Sequence, residues 1–134
     1  MEKQINTPRT IRKYQIEEDL MISYKELDNL PLNESMQLVP SNPGAVEFVK
    51  ISSYDTSSLM FVVTMKKNQL WERHHHDCEE SCVVFKGRLK DLLTGKAAGP
   101  AESLDFKQHE SHYVVAEVDS IFYVKFNKPK NIPK

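Results

Sequence analysis

Long apolar runs are missing from this sequence. No stretch approaches the roughly 20 residues that a membrane-crossing helix needs, and the N-terminus lacks the apolar segment of a secretory signal. Cysteine is scarce, with Cys78 and Cys82 the only two. On one extended strand they would stand about 13 Å apart, at about 3.3 Å per residue, beyond the reach of a disulfide. A turn between them would shorten that distance, so two free thiols in a reducing, cytoplasmic compartment are the default expectation. Charge bias is missing too: 18 basic residues face 19 acidic ones, for a net charge of -1. No global field draws nucleic acid or an anionic membrane. The basic run to Lys13 and the basic tail after Lys125 are short and read as solvated ends. There is no internal repeat, low-complexity tract, glycine-rich phosphate loop or nucleophile elbow. Ser111-His112 has no oxyanion-hole sequence near it, which sets serine hydrolysis aside.

What is present is one domain's length, 134 residues with 40% apolar and 28% charged. Such a chain buries about two-thirds of its unfolded surface. From Tyr14 the spacing Ile16, Leu20, Tyr24, Leu27 is helical, and Ser23-x-x-Glu26 resembles a capping box. Pro31 ends that helix, and Pro40, Pro43 and Gly44 mark a loop where the main boundary is placed. Beyond Gly44 the chain turns to short runs rich in Val, Ile and Phe. The expected strands are Ala45–Ser52, Leu59–Met65, Trp71–His76, Glu80–Lys86, Leu89–Leu93, Ser103–Lys107, His112–Glu117 and Ile121–Phe126. Turn-formers separate them, and no long helical segment interrupts. The pattern predicts an all-β fold, a small antiparallel barrel or sandwich over 44–126. Residues 1–43 read as an irregular arm with one short helix, and 127–134 as a basic tail. Cys82-Val83-Val84-Phe85 and Tyr113-Val114-Val115-Ala116 are apolar on both faces. One face can line the interior while the other meets the N-terminal segment or a second subunit, so a homodimer is expected.

The chemistry concentrates in His74–Gly87, HHHDCEESCVVFKG. Side chains alternate along a strand, so His74 and His76 share a face while His75 points the other way, toward solvent. A turn after His76 brings Glu80 beside the two imidazoles. Two imidazoles and a carboxylate on one point suit iron, manganese, nickel, copper or zinc. A solvated histidine loop would not need Glu80 and Gly87 at these offsets within an apolar strand pattern. Cys82 shares Glu80's face and reads as a buried, inert thiol near the site; Cys78 lies in the turn. Trp71, Phe61, Met65, Phe122 and Tyr123 could line an apolar pocket or serve as core or dimer interface. Arg73 and Arg88 are candidates for a substrate carboxylate, although surface placement is the commoner fate of such residues.

His74-x-His76-x-x-x-Glu80, six residues, then Gly87 resembles the first motif of the cupin family. That motif also opens with a glycine six residues before its first histidine. Here the position is Asn68, a residue that tolerates left-handed backbone. The second motif, PxGxxHxxxN, survives only as His112: Lys107, His109 and Ala116 replace the proline, glycine and asparagine. His109 is therefore a rival fourth ligand, and His112 is preferred because strands hold ligands more accurately than loops. More narrowly, Phe85–Asp91 with Thr94-Gly95-Lys96, and Tyr24–Leu27 before a proline, resemble cupin-type anti-sigma factors and acetophenone-cleaving dioxygenases.

The resemblance implies a jelly-roll-like double-stranded β-helix holding one divalent metal on His74, His76, Glu80 and His112. Three imidazoles and one carboxylate on an octahedral ion leave two open positions, adjacent if arranged as in cupins, for a small-molecule substrate and dioxygen. Zinc with three histidines and a water would act only as a Lewis acid. A metal-dependent dioxygenase is the leading functional expectation. The alternatives are a non-catalytic ligand- or metal-sensing module and an isomerase of sugar-like substrates.

Overall fold

The computed structural model of the chain describes residues 20–38 and 46–129. The expectations for the first 19 residues, for the Pro40–Gly44 boundary and for the end of the basic tail lie outside this range. The described elements are β1 (Leu20–Met21), α1 (Tyr24–Asp28), β2 (Ser35–Leu38), β3 (Val46–Ser52), β4 (Leu59–Met65) and β5 (Leu70–His75). They continue with β6 (Glu79–Lys86), β7 (Leu89–Asp91), β8 (Ala97–Ala98), β9 (Ser103–Phe106), β10 (His112–Ala116) and β11 (Ser120–Asn127).

Two sheets result. One has six strands in the order β2-β3-β4-β11-β6-β9, the other five in the order β1-β5-β10-β7-β8. Every pairing is antiparallel except β1 with β5. The fold is thus all-β as expected, but among the described residues its hydrogen bonding stays within two separate sheets and does not close into a single ring.

Alternation explains the layers. In β4, Leu59, Phe61, Val63 and Met65 are buried while Met60, Val62 and Thr64 face away. β11 does the same with Ser120, Phe122, Val124 and Phe126. Period-two patterning of this kind fixes the register, because a slip of one residue would turn the apolar set outward. Phe61 meets Phe48 and Phe126 edge to face, with centroids 5.7 and 5.8 Å apart. Burial of each such ring contributes about 1.5–3 kcal/mol.

Residues expected to form an irregular arm supply edge strands instead: β1 extends one sheet beside β5, and β2 edges the other beside β3. Leu20, assigned by its spacing to a helix, lies in β1. The helix is one short turn, capped as the sequence predicted at Ser23, whose Oγ accepts the Lys25 amide. Strand pairing claims Leu20 because the turn is too short to bury a face of its own.

A lysine anchors the far end of α1. Lys50 is 1% exposed, and its ammonium donates to the carbonyls of Asp28 and Leu30. These carbonyls at the helix end have no helical partner, so the cation satisfies them. Burial pulls the Lys50 pKa down, against the opposing charges of Asp28 and Asp55.

Gly87 takes the chain from β6 in one sheet to β7 in the other at φ +103°. A Cβ there would overlap Ser120 Oγ and lie 2.5 Å from the Asp119 carbonyl. Only glycine fits this crossing.

Candidate metal centre

The ends of β5, β6 and β10 meet between the sheets. His74 lies on the inward face of β5, and His76 follows just beyond the strand. Asp77 and Cys78 turn the chain, and β6 then sends Glu80 inward with Cys82 and Val84. His112 opens β10 directly opposite His74 in the antiparallel register, next to a bulge that re-aims the strand. All four side chains are buried, at 2–5% exposure.

One donor atom from each lies within 4.8 Å of the others. His112 Nε2 stands 3.0 Å from His74 Nε2 and 3.1 Å from Glu80 Oε1, and His76 Nε2 is 3.1 Å from the same oxygen. Two ligands at right angles on an ion, each about 2.1 Å from it, would be separated by about 3.0 Å.

Backbone carbonyls orient the rings. His74 Nδ1–H donates to the Glu72 carbonyl at 2.6 Å, His76 Nδ1–H to Ile22 at 2.8 Å, and His112 Nδ1–H to Glu110 at 3.3 Å. A carbonyl only accepts, so each Nδ1 carries the proton, and in the neutral ring each Nε2 then presents a lone pair. His76 Nε2 and Glu80 Oε1 are buried without a hydrogen-bond partner. Three lone pairs and a carboxylate facing one another repel unless a cation lies among them. The residues present therefore fit a divalent metal.

Electrostatics follow the same geometry. Burial opposes the Glu80 charge, yet His112 and His76 outweigh it and hold the carboxyl well below its usual range. Burial, with His112 and His76 as neighbours, drives the His74 pKa well down. His112 feels burial in the same sense, but contact with Glu80 reverses it and its pKa rises.

Aromatic rings wall the group. Phe106 stacks on His112 with centroids 4.2 Å apart, Phe126 meets His76 at 4.8 Å, and Trp71 lies 5.6 Å from His74. Of the five apolar residues weighed for a pocket, Trp71 and Phe61 line one. Met65 and Phe122 are core, and Tyr123 faces outward at 37% exposure.

The rival fourth ligand, His109, stays outside the group. Its backbone sits at φ +66°, the left-handed region that explains a glycine at this point of the motif, and its ring stands 5.7 Å from that of His75. Asn68, at the other glycine position, is also left-handed at φ +72°. His75 points away as expected but is half-buried beside His109 rather than solvated. Cys82 Sγ donates to Glu80 Oε2 at 3.2 Å, and both cysteines are free. Arg88 pairs with Glu117 at the surface, and Arg73 is exposed.

Three contributors were not found by sequence reading. The Ile22 carbonyl is a backbone group and leaves no trace in the residue pattern. Asp77 accepts from Ser23 Oγ and the Tyr24 amide, each at 2.9 Å, and so ties α1 to the turn of the site. Phe106 could have been read from the alternation of β9, where Leu104 and Phe106 face inward.

No protein-family model matches the sequence, and no curated relative does. Solved structures do match. The acetylacetone dioxygenase of Acinetobacter johnsonii is 19% identical at TM-score 0.59, covering 73% of this chain and 70% of that one. An RmlC-like cupin from Shewanella frigidimarina is 13% identical at TM-score 0.57, covering 77% and 93%. The chain has the cupin fold. A third match is a chain of the complex between Rhodobacter sphaeroides SigE and the anti-sigma ChrR. It is 17% identical at TM-score 0.57 and covers 92% of this chain but 61% of that one. Within this fold, the four buried donors supply three imidazole nitrogens and one carboxylate, a set that suits a divalent first-row metal and leaves positions for other ligands.

Proposed function

We propose that the chain binds one divalent transition metal through His74, His76, Glu80 and His112, and that the site acts on a small molecule as a metal-dependent dioxygenase. One observation carries this reading: one donor atom each from buried His74, His76, Glu80 and His112 gathers within 4.8 Å of the others, and among them His76 Nε2 and Glu80 Oε1 have no hydrogen-bond partner. The metal would supply Lewis acidity and a place for substrate and dioxygen to meet. The chain itself fixes the imidazole tautomers through three carbonyls, keeps Glu80 ionised and screens the centre with Phe106 and Phe126. Likeness to an acetylacetone dioxygenase supports the reaction class. Iron, manganese, nickel, copper and zinc all suit the donor set.

Purified without an affinity tag, the chain should carry about one divalent metal per molecule by elemental analysis, and His76→Ala almost none. Oxygen uptake by the iron-loaded chain, run against catechols, hydroxyketones and thiols, tests the reaction. Full metal loading with no uptake across the panel would favour a second reading, a non-catalytic sensing module. That reading draws on the likeness to the SigE–ChrR complex, which spans nearly the whole chain.

The homodimer is also a proposal. Val49, Val62, Tyr123 and Val83 lie side by side across β3, β4, β11 and β6 on the outer face of the six-stranded sheet. Phe85 beside them is 61% exposed. An apolar row on a nearly neutral chain suits a second copy. Phe85→Lys with Tyr123→Lys should leave a monomer in sedimentation. Two free, buried thiols are consistent with a reducing, cytoplasmic setting.

A further inference from the structure

Glu80 stands on β6 among hydrocarbon side chains. Its cross-strand partners are Phe126 on β11 and Phe106 on β9, and one step along the same face Val124 and Leu104 flank Cys82. All four are buried, and none can donate a hydrogen bond to a carboxylate. Cys82 can. It shares the inward face of β6 with Glu80 by period two and is 3% exposed. Its Sγ–H donates to Glu80 Oε2 at 3.2 Å. The two carboxylate oxygens are thereby made unlike. Oε2 is tied to the thiol, while Oε1 lies 3.1 Å from both His76 Nε2 and His112 Nε2 and has no hydrogen-bond partner.

We propose that Cys82 is a positioning residue whose thiol holds Glu80 Oε2, so that Oε1 alone is offered to the metal and two coordination positions stay open for ligands. The proposal deepens the metal-centre reading and rests on it. A carboxylate free to turn about its last bond gives a cation one oxygen or both. Beside three imidazoles, one oxygen fills four of the six positions of an octahedral ion, and both fill five. The second oxygen would take the place that a two-point oxygen ligand, or a substrate beside dioxygen, requires. A weak donor suffices for this task, because the surrounding walls are hydrocarbon and offer Oε2 no stronger one.

Cobalt(II) serves as a coloured stand-in for the divalent metal, so ligand binding is read in the visible spectrum. Azide needs one open position, and acetohydroxamate, a chelator with two oxygens, needs two. The wild-type chain should bind both saturably. Cys82→Val keeps the bulk and removes the donor. It should retain about one cobalt per chain and its azide affinity, yet bind acetohydroxamate about tenfold more weakly. Cys82→Ser returns a donor and should return chelation. A thiol that only fills the core would move both probes together or neither, so either result overturns the proposal. Should Cys82→Val fail to fold, infrared spectra of the metal-free chain decide, because the S–H stretch lies clear of other protein bands. Glu80→Gln should shift a thiol band upward, and bands unmoved by it overturn the proposal. Elemental analysis separates the two readings. A wild-type chain without cobalt sinks the metal centre and the proposal with it, whereas a loaded chain with an unselective Cys82→Val sinks the proposal alone.

Discussion

The two sheets divide the work unequally. The six-stranded sheet has the long strands, with β4 and β11 paired continuously from Leu59–Phe126 to Met65–Ser120. The five-stranded sheet is built of shorter strands, one parallel pair and a bulge between His112 and Val114, whereas the register shifts of the larger sheet, at Lys50/Ser52 and Ile121/Phe122, lie away from Glu80. Yet His74 and His112 stand on that irregular sheet, His76 lies just past the end of one of its strands, and only Glu80 comes from the larger one. A regular ladder spaces its side chains uniformly, which suits a core. Four donors converging on a point need a strand end, a turn and a bulge.

The comparison is broken most severely by variants on either side of it. Phe122→Ala, in the middle of β11, should lower the unfolding free energy by about 3–5 kcal/mol and leave metal stoichiometry unchanged. His112→Ala should do the reverse, abolishing metal uptake by elemental analysis while denaturant unfolding of the stripped chain moves far less. If both variants lost stability and metal together, the sheets would not be separable in this way.

Gly87 joins the sheets, so Gly87→Ala tests the joint. The left-handed backbone and the overlap with Ser120 predict a loss of about 1–3 kcal/mol in chemical denaturation. At the small end, Ser23→Ala removes the cap of α1 and the bond to Asp77, which should cost about 1 kcal/mol. Thiol labelling sharpens the contrast without a variant. Burial, reinforced by Asp77 and Glu80, pushes the Cys78 thiol up to about 12, and burial with Glu80 raises Cys82 as well. Thiolate is therefore scarce at pH 8 and grows with pH until that value is reached. The folded chain should label slowly, and faster as pH rises, while the denatured chain yields both thiols at once.

Much of this was legible in the residues. The eight strands expected after Gly44 all form, with bounds shifted by two residues or fewer, because alternation and burial enforce each other there. The spacing from His74 to Glu80 likewise foretold a shared pocket. Three short strands escaped notice: Ala97–Ala98 has no apolar alternation to display, β1 is held by a partner distant in sequence, and β2 is only four residues long. His112 joins the buried donors from a strand, while His109 sits at a left-handed loop position outside them.

The hydrogen bond from His76 to the Ile22 carbonyl spans 54 positions of sequence. Transplanting HxHxxxE onto another β scaffold would therefore carry over the donors without the clasp that aims one of them. A chain shortened to start at residue 29 would pose the same problem from within, every donor present and one imidazole free to swivel.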